Sequence, residues 1–77
     1  ERAADLYTFI LNEQPQYKAA LCNLGYLKVL TGEAAAGKEM LEAAIGLDPD
    51  YAQAWLNLAS YYLSQERNTT EANERVL

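Results

Sequence analysis

Apolar residues along the chain recur at three- and four-residue spacing, the pattern of amphipathic helices, and no segment alternates with the two-residue period of a strand. Ala3, Leu6, Tyr7, Ile10 and Leu11 form one stripe and predict a first helix over Arg2 to Glu13. Pro15 biases Gln14 away from helical geometry and marks a turn. Leu21, Leu24, Leu27 and Lys28 lie along one side of a second helix, from about Tyr17 to Thr31. Gly32 is the expected stop, because glycine adopts the left-handed conformation without a Cβ penalty.

A third helix is predicted over Ala34 to Leu47, with Met40, Leu41, Ala44 and Ile45 inward. Asp48-Pro49 has the form of a start signal, an N-cap acceptor followed by proline in the first turn. Trp55, Leu58, Ala59 and Tyr62 then place a fourth helix that ends near Gln65. Asn68-Thr69-Thr70-Glu71 predicts the opening of a fifth, with Asn68 or Thr69 as cap and Glu71 complementing the positive end of the helix dipole. The expectation is an all-α chain of five helices.

The helical pattern repeats. Pro15 and Pro49 lie 34 residues apart, as do Tyr17 and Tyr51, Ala20 and Ala54, and Asn23-Leu24 and Asn57-Leu58. A fixed period of this length denotes stacked supersecondary units, each too small to bury its apolar face alone. The functional question thereby moves from which residues react to which surface the stack presents.

The residues that carry the period also carry a resemblance. Trp55-x2-Leu58-Ala59-x2-Tyr62, and before it Leu21-x2-Leu24-Gly25-x2-Lys28 followed by Gly37-x3-Leu41 and Pro49, resemble tetratricopeptide repeats. Ala3, Tyr7, Ile10 and Pro15 fit the second half of such a unit. The resemblance implies half a repeat over residues 1–17, a full repeat over 18–51 and an incomplete one over 52–77. It implies antiparallel helix pairs stacked into a right-handed superhelical solenoid, with the first helix of each pair on the concave side. Small residues at Ala20, Gly25, Ala44, Ala54 and Ala59 are expected at the close helix crossings, with Leu24, Leu41, Trp55 and Leu58 filling the gaps. Lys28 departs from the usual aromatic, and Gly37 from the usual alanine.

Composition narrows the function classes. The net charge of −5 disfavours nonspecific binding to phosphate backbones or anionic membranes. Nucleic acid is therefore not an expected partner. The apolar runs are too short for a membrane span. There is no histidine and only Cys22 as a thiol, so no internal disulfide is possible; a metal site would need carboxylates alone, no cluster is spaced for one, and no cofactor is implied. The chain begins without Met in mid-helix, and a longer parent protein is expected.

Several short motifs have plainer readings. Gly32-Glu33-Ala34-Ala35-Ala36-Gly37-Lys38-Glu39 nearly spells a phosphate-binding loop. Glu39, however, replaces the hydroxyl that would ligate Mg²⁺ and would repel phosphate. Asn68-Thr69-Thr70 matches a glycosylation acceptor and also suits helix capping. The Asp48/Asp50 and Glu39/Glu42 pairs are expected to be solvated, with nothing placing an acid opposite a base. Cys22 has no histidine to activate it and is expected to be a small apolar residue on a helix. These residues supply no candidate enzyme chemistry.

Trp55, Tyr62 and Tyr7 are expected in the core, while Tyr17 and Tyr51 pack across the turns. Tyr26 is expected on the inner side of the second helix beside Cys22 and Val29, facing Gln53, Leu56, Ser60, Leu63 and Ser64 of the fourth. The candidate partner-binding set is Cys22, Tyr26, Val29, Gln53, Leu56, Ser60 and Leu63. Together they predict a mostly apolar concave groove for a peptide or amphipathic helix. Relatives that grip a C-terminal carboxylate use basic residues, which are missing here at Ala19, Cys22, Gln53 and Leu56, although Asn23 and Asn57 offer amides. The alternative expectation is a structural spacer or self-assembly segment using the exposed end helices.

Overall fold

The computed structural model describes the backbone of residues 2–76 and the side chains of residues 2–66. Four helices follow one another along the chain: α1 (Arg2–Glu13), α2 (Lys18–Leu30), α3 (Ala34–Leu47) and α4 (Ala52–Val76). Each packs on its sequence neighbour, and α2 also touches α4. The described chain is all-α.

The turns follow the sequence closely. Thr31 closes α2, and Gly32 takes φ +93°, the left-handed geometry that glycine tolerates best. The Glu33 amide then donates to the Lys28 carbonyl at 2.9 Å, satisfying one of the last free carbonyls of the helix. At the next turn Asp48 has a different role from the one expected. It closes α3, its backbone amide donating to the Ala44 carbonyl, while its side chain accepts the Asp50 amide at 3.1 Å. Tyr51, not Asp48, immediately precedes α4. The Pro49-Asp50 turn separates the aspartate from the helix it was expected to cap.

The fifth helix is not present. A single helix, α4, runs through the expected break at Gln65–Asn68. The physical reason is the absence of glycine or proline between Ala52 and Val76. Asn and Thr favour caps, but inside a helix each costs only a few tenths of a kcal/mol relative to the better formers. A capping motif without a breaker does not end a helix. The side chains of Asn68, Thr69, Thr70 and Glu71 lie outside the described residues.

Cys22, Val29, Leu41, Ala44, Ala54 and Leu58 form the core, with Leu21, Ile45, Tyr51 and Tyr61 packed against it. Ala20 and Gly25 are buried as expected of close crossings, and Leu24 as expected of a residue that fills a gap. The tightest contact joins α2 to α3, where a Cβ on Gly25 would already lie 3.0 Å from both the Gly37 carbonyl oxygen and Leu41 Cγ. Three expectations for α4 are corrected: Ala59 is exposed and not at a close crossing, Trp55 is 51% exposed and Tyr62 is 52% exposed. The equivalent face of α2, at Leu21 and Lys28, is covered by α3, whereas among the described residues no helix packs on this face of α4. Trp55 instead donates its indole N–H to the Pro49 carbonyl at 2.7 Å. Tyr62 stacks edge-on against Tyr61, with ring centroids 5.2 Å apart.

Candidate partner-binding surface

The seven residues expected to line the groove divide into two sets. Cys22 is fully buried and Val29 is 9% exposed, and both belong to the core. Neither presents a side chain to a ligand. The cause is their position on α2: Cys22 meets α4 and Val29 meets α3, so the stack itself covers them. Val29 packs so close to Gly37 that a Cβ there would lie 2.8 Å from its Cγ2.

The second set remains accessible. Leu56 and Leu63 are both 64% exposed, seven residues apart on α4. Gln53 is exposed, while Tyr26 and Ser60 are half-buried. Seven residues are close to two helical turns, so Leu56 and Leu63 share a side of α4, with Ser60 between them. Ser60 donates its hydroxyl to the Leu56 carbonyl at 3.4 Å.

Beneath this surface lies a polar clasp that the sequence pattern did not reveal. Asn57 is only 5% exposed and donates its amide to the Cys22 sulfur at 3.2 Å. Its carbonyl oxygen accepts the Gln53 amide at 3.0 Å. Asn57 therefore ties α4 to α2 instead of offering its amide to a ligand. The recurrence of Asn at 23 and 57 signals a role within the repeat, but the partner's identity depends on packing. Burial pushes the Cys22 thiol above its ordinary pKa, opposed by hydrogen bonds from Asn57 and Tyr51. Burial thus favours the protonated thiol.

A second tie crosses the turns. Lys18 hydrogen-bonds Asp48, and the same ammonium lies 5.0 Å from the Tyr51 ring centroid. The hydrogen bond with Asp48 raises the Lys18 pKa, and Lys18 in turn lowers that of Asp48. Elsewhere a shallow pocket of about 240 Å³ is lined by Ala4, Leu24, Leu27, Lys28, Thr31 and Glu33, none of them from the expected groove.

The helix hairpin α2–α3, its Gly25–Gly37 crossing and the closing Pro49 turn coincide with a family match: the tetratricopeptide repeat profile aligns with residues 19–51. Residues 19–51 form a tetratricopeptide repeat. Tetratricopeptide repeats are helical scaffold repeats that generally mediate protein–protein interaction. Neither the curated proteins nor the solved structures contain a match to the chain. Among the described residues no helix is long and apolar enough to cross a membrane.

Proposed function

We propose that the chain is a protein–protein interaction module whose α2–α4 wall receives a peptide or amphipathic helix in an apolar concave groove. In this reading residues 1–17, 18–51 and 52–77 are a half, a full and an incomplete tetratricopeptide unit of a right-handed solenoid. Tyr26, Gln53, Leu56, Ser60 and Leu63 contact the partner, and Cys22 and Val29 support them from the core.

The carrying observation is the exposure of Leu56 and Leu63 at heptad spacing on one side of α4. Apolar anchors of a helical ligand recur with the same spacing, so two of them meet the two leucines in register. Gln53 and Ser60 supply polar contacts that set orientation. On this side of α2 the Lys18 ammonium is held by Asp48, and Gln53 and Leu56 on α4 are neutral, which does not suit a carboxylate clamp.

The test is selection of a displayed peptide library on the 77-residue chain, with counter-selection on Leu56→Asp. Enriched sequences with apolar residues at helical spacing, losing affinity for both Leu56→Asp and Tyr26→Ala, support the reading. Enriched peptides that bind both variants as well as wild type contradict it.

A second reading, self-association through the end helices, is favoured by specific exposures. Leu6 on α1 and Trp55 and Tyr62 on α4 are each more than half exposed.

A further inference from the structure

We infer that the partner of the α2–α4 wall is a cationic amphipathic segment, an apolar stripe flanked by arginine or lysine; the inference rests on the groove reading above. The direction of the hydrogen bonds along the wall carries it. Gln53 turns its amide nitrogen inward, where it donates to Asn57 at 3.0 Å. The carbonyl oxygen, on the other arm of the amide, points away from Asn57 and accepts nothing from the described residues. Ser60 uses its single O–H on the Leu56 carbonyl and keeps only lone pairs to offer. The two polar side chains of this wall therefore face a ligand as acceptors.

These acceptors form a row of their own. Gln53 and Ser60 are seven residues apart, as Leu56 and Leu63 are. They lie about 40–60° around α4 from Leu56, toward the buried Asn57 that ties the helix to α2. An apolar row and an acceptor row thus run side by side, the acceptor row nearer α2. A segment that covers the leucines strips water from the acceptors, and what replaces that water must donate. Arginine and lysine are donors only, and their apolar stems lie along leucine while the charged head reaches the polar row. A segment bearing carboxylates would set acceptor against acceptor.

The charges point the same way. The chain carries a net −5, and each of its three lysines already meets a carboxylate: Lys18 meets Asp48, Lys28 meets Glu33 at 3.6 Å and Lys38 meets Glu42 at 3.9 Å. Arg2 lies on α1, which does not touch α4. Asp50, three residues ahead of Gln53, is exposed, and among the described residues no cation pairs with its carboxylate. The end of the wall where α4 begins is therefore complementary to a cation and repels an anion. The side chains of Arg67 and Arg75 lie outside the described residues, and the assignment concerns the wall from Gln53 to Leu63.

The probes are synthetic helical peptides with leucine at the same heptad positions and arginine, glutamine or glutamate at all the polar ones, matched in helicity. A scrambled arginine peptide is the control for net charge. Their affinities for the 77-residue chain are measured by fluorescence anisotropy at low and high salt. The arginine peptide is expected to bind at least tenfold tighter than the glutamine peptide and the glutamate peptide weakest, with the gap narrowing as salt rises. Gln53→Lys keeps a donor for Asn57 and sets a cation where the acceptor stood. It should weaken the arginine peptide at least tenfold and leave the glutamine peptide nearly unaffected, with the urea midpoint retained. Ser60→Ala removes the other acceptor without touching the Asn57 clasp and should weaken the arginine peptide in the same direction. Equal affinity for the three peptides, each lost with Leu56→Ala, overturns the cationic assignment and leaves the groove standing, as does tightest binding of the glutamate peptide. An arginine peptide that binds equally well when scrambled also overturns the assignment. Binding by none of the three, or binding indifferent to Leu56→Ala and Tyr26→Ala, overturns the groove reading itself.

Discussion

Gly37 packs against Gly25 so closely that a Cβ on Gly37 would lie 2.4 Å from the Gly25 carbonyl oxygen and 2.9 Å from the Val29 amide nitrogen. Both obstacles are backbone, so no rotamer change relieves them. Gly37→Ala is expected to destabilise the chain by about 1–3 kcal/mol, as other overpacked cores do. Gly25→Ala should cost less, because two of its three nearest neighbours are side-chain atoms and the distances start at 3.0 Å. Gly46 is the internal control: it lies in α3 with nothing within 4 Å of an added Cβ. Gly46→Ala is expected to stabilise by about 0.5–1 kcal/mol. Urea midpoints of the three variants check the order, and Gly37→Ala as stable as wild type would contradict the close crossing.

Cys22 is expected to react slowly with a thiol reagent in the folded chain and rapidly in denaturant. Its raised pKa is set first by burial, so folding favours the protonated thiol. The stabilising contribution is fully present below the unfolded pKa of about 8.5 and is lost as pH rises through the higher folded value. Asn57→Ala removes the amide that reaches the sulfur and strands the Gln53 contact, with an expected loss of about 1–3 kcal/mol. Native-state labelling as fast as that of the unfolded chain would place Cys22 on the surface after all.

The pairing of Lys18 with Asp48 gives a pH dependence of defined sign. The Asp48 pKa is lowered, so its contribution is present above the unfolded carboxylate value of about 3.9 and disappears as pH falls through the folded one. The Lys18 pKa is raised, so its contribution holds below about pH 10.4 and is lost as pH rises through the folded value. Both side chains are partly exposed, and the effect should be small and weakened by salt. Thermal midpoints of wild type and Asp48→Asn should converge once the pH has fallen below the lowered Asp48 value. A constant gap down to pH 2 would show that the pair is not the source.

Trp55 is the single tryptophan, and its exposure makes it a direct reporter. Its fluorescence in the dilute folded chain is expected to be readily quenched by acrylamide. Quenching that matches a buried indole at low concentration would mean that a segment of the same chain covers this face.

The sequence made the helices legible wherever punctuation was chemical. Gly32, Pro15 and Pro49 act locally through backbone torsion, so the bounds of α1 and α3 were recoverable to the residue. The end of the fourth helix was not, because Asn68 and Thr69 mark a cap only where something else stops the helix. Trp55 and Tyr62 were misplaced for a related reason. Their repeat positions are core positions where another helix packs on that face, and burial is a property of the neighbour as much as of the residue. Leu56 and Leu63 were legible as one exposed side of a helix. The core placement of Cys22 and Val29 was not, since it depends on α4 covering the one and α3 the other.

The most direct test of the groove is the affinity of a selected peptide for four chains: wild type, Tyr26→Ala, Leu56→Asp and Leu6→Asp. Tyr26→Ala and Leu56→Asp should each weaken binding tenfold or more, equivalent to about 1.4 kcal/mol, with helical circular dichroism retained. Leu6→Asp lies on α1 and should leave the affinity unchanged. Equal affinity for wild type, Tyr26→Ala and Leu56→Asp, or a loss confined to Leu6→Asp, would contradict the assignment of partner binding to the α2–α4 wall.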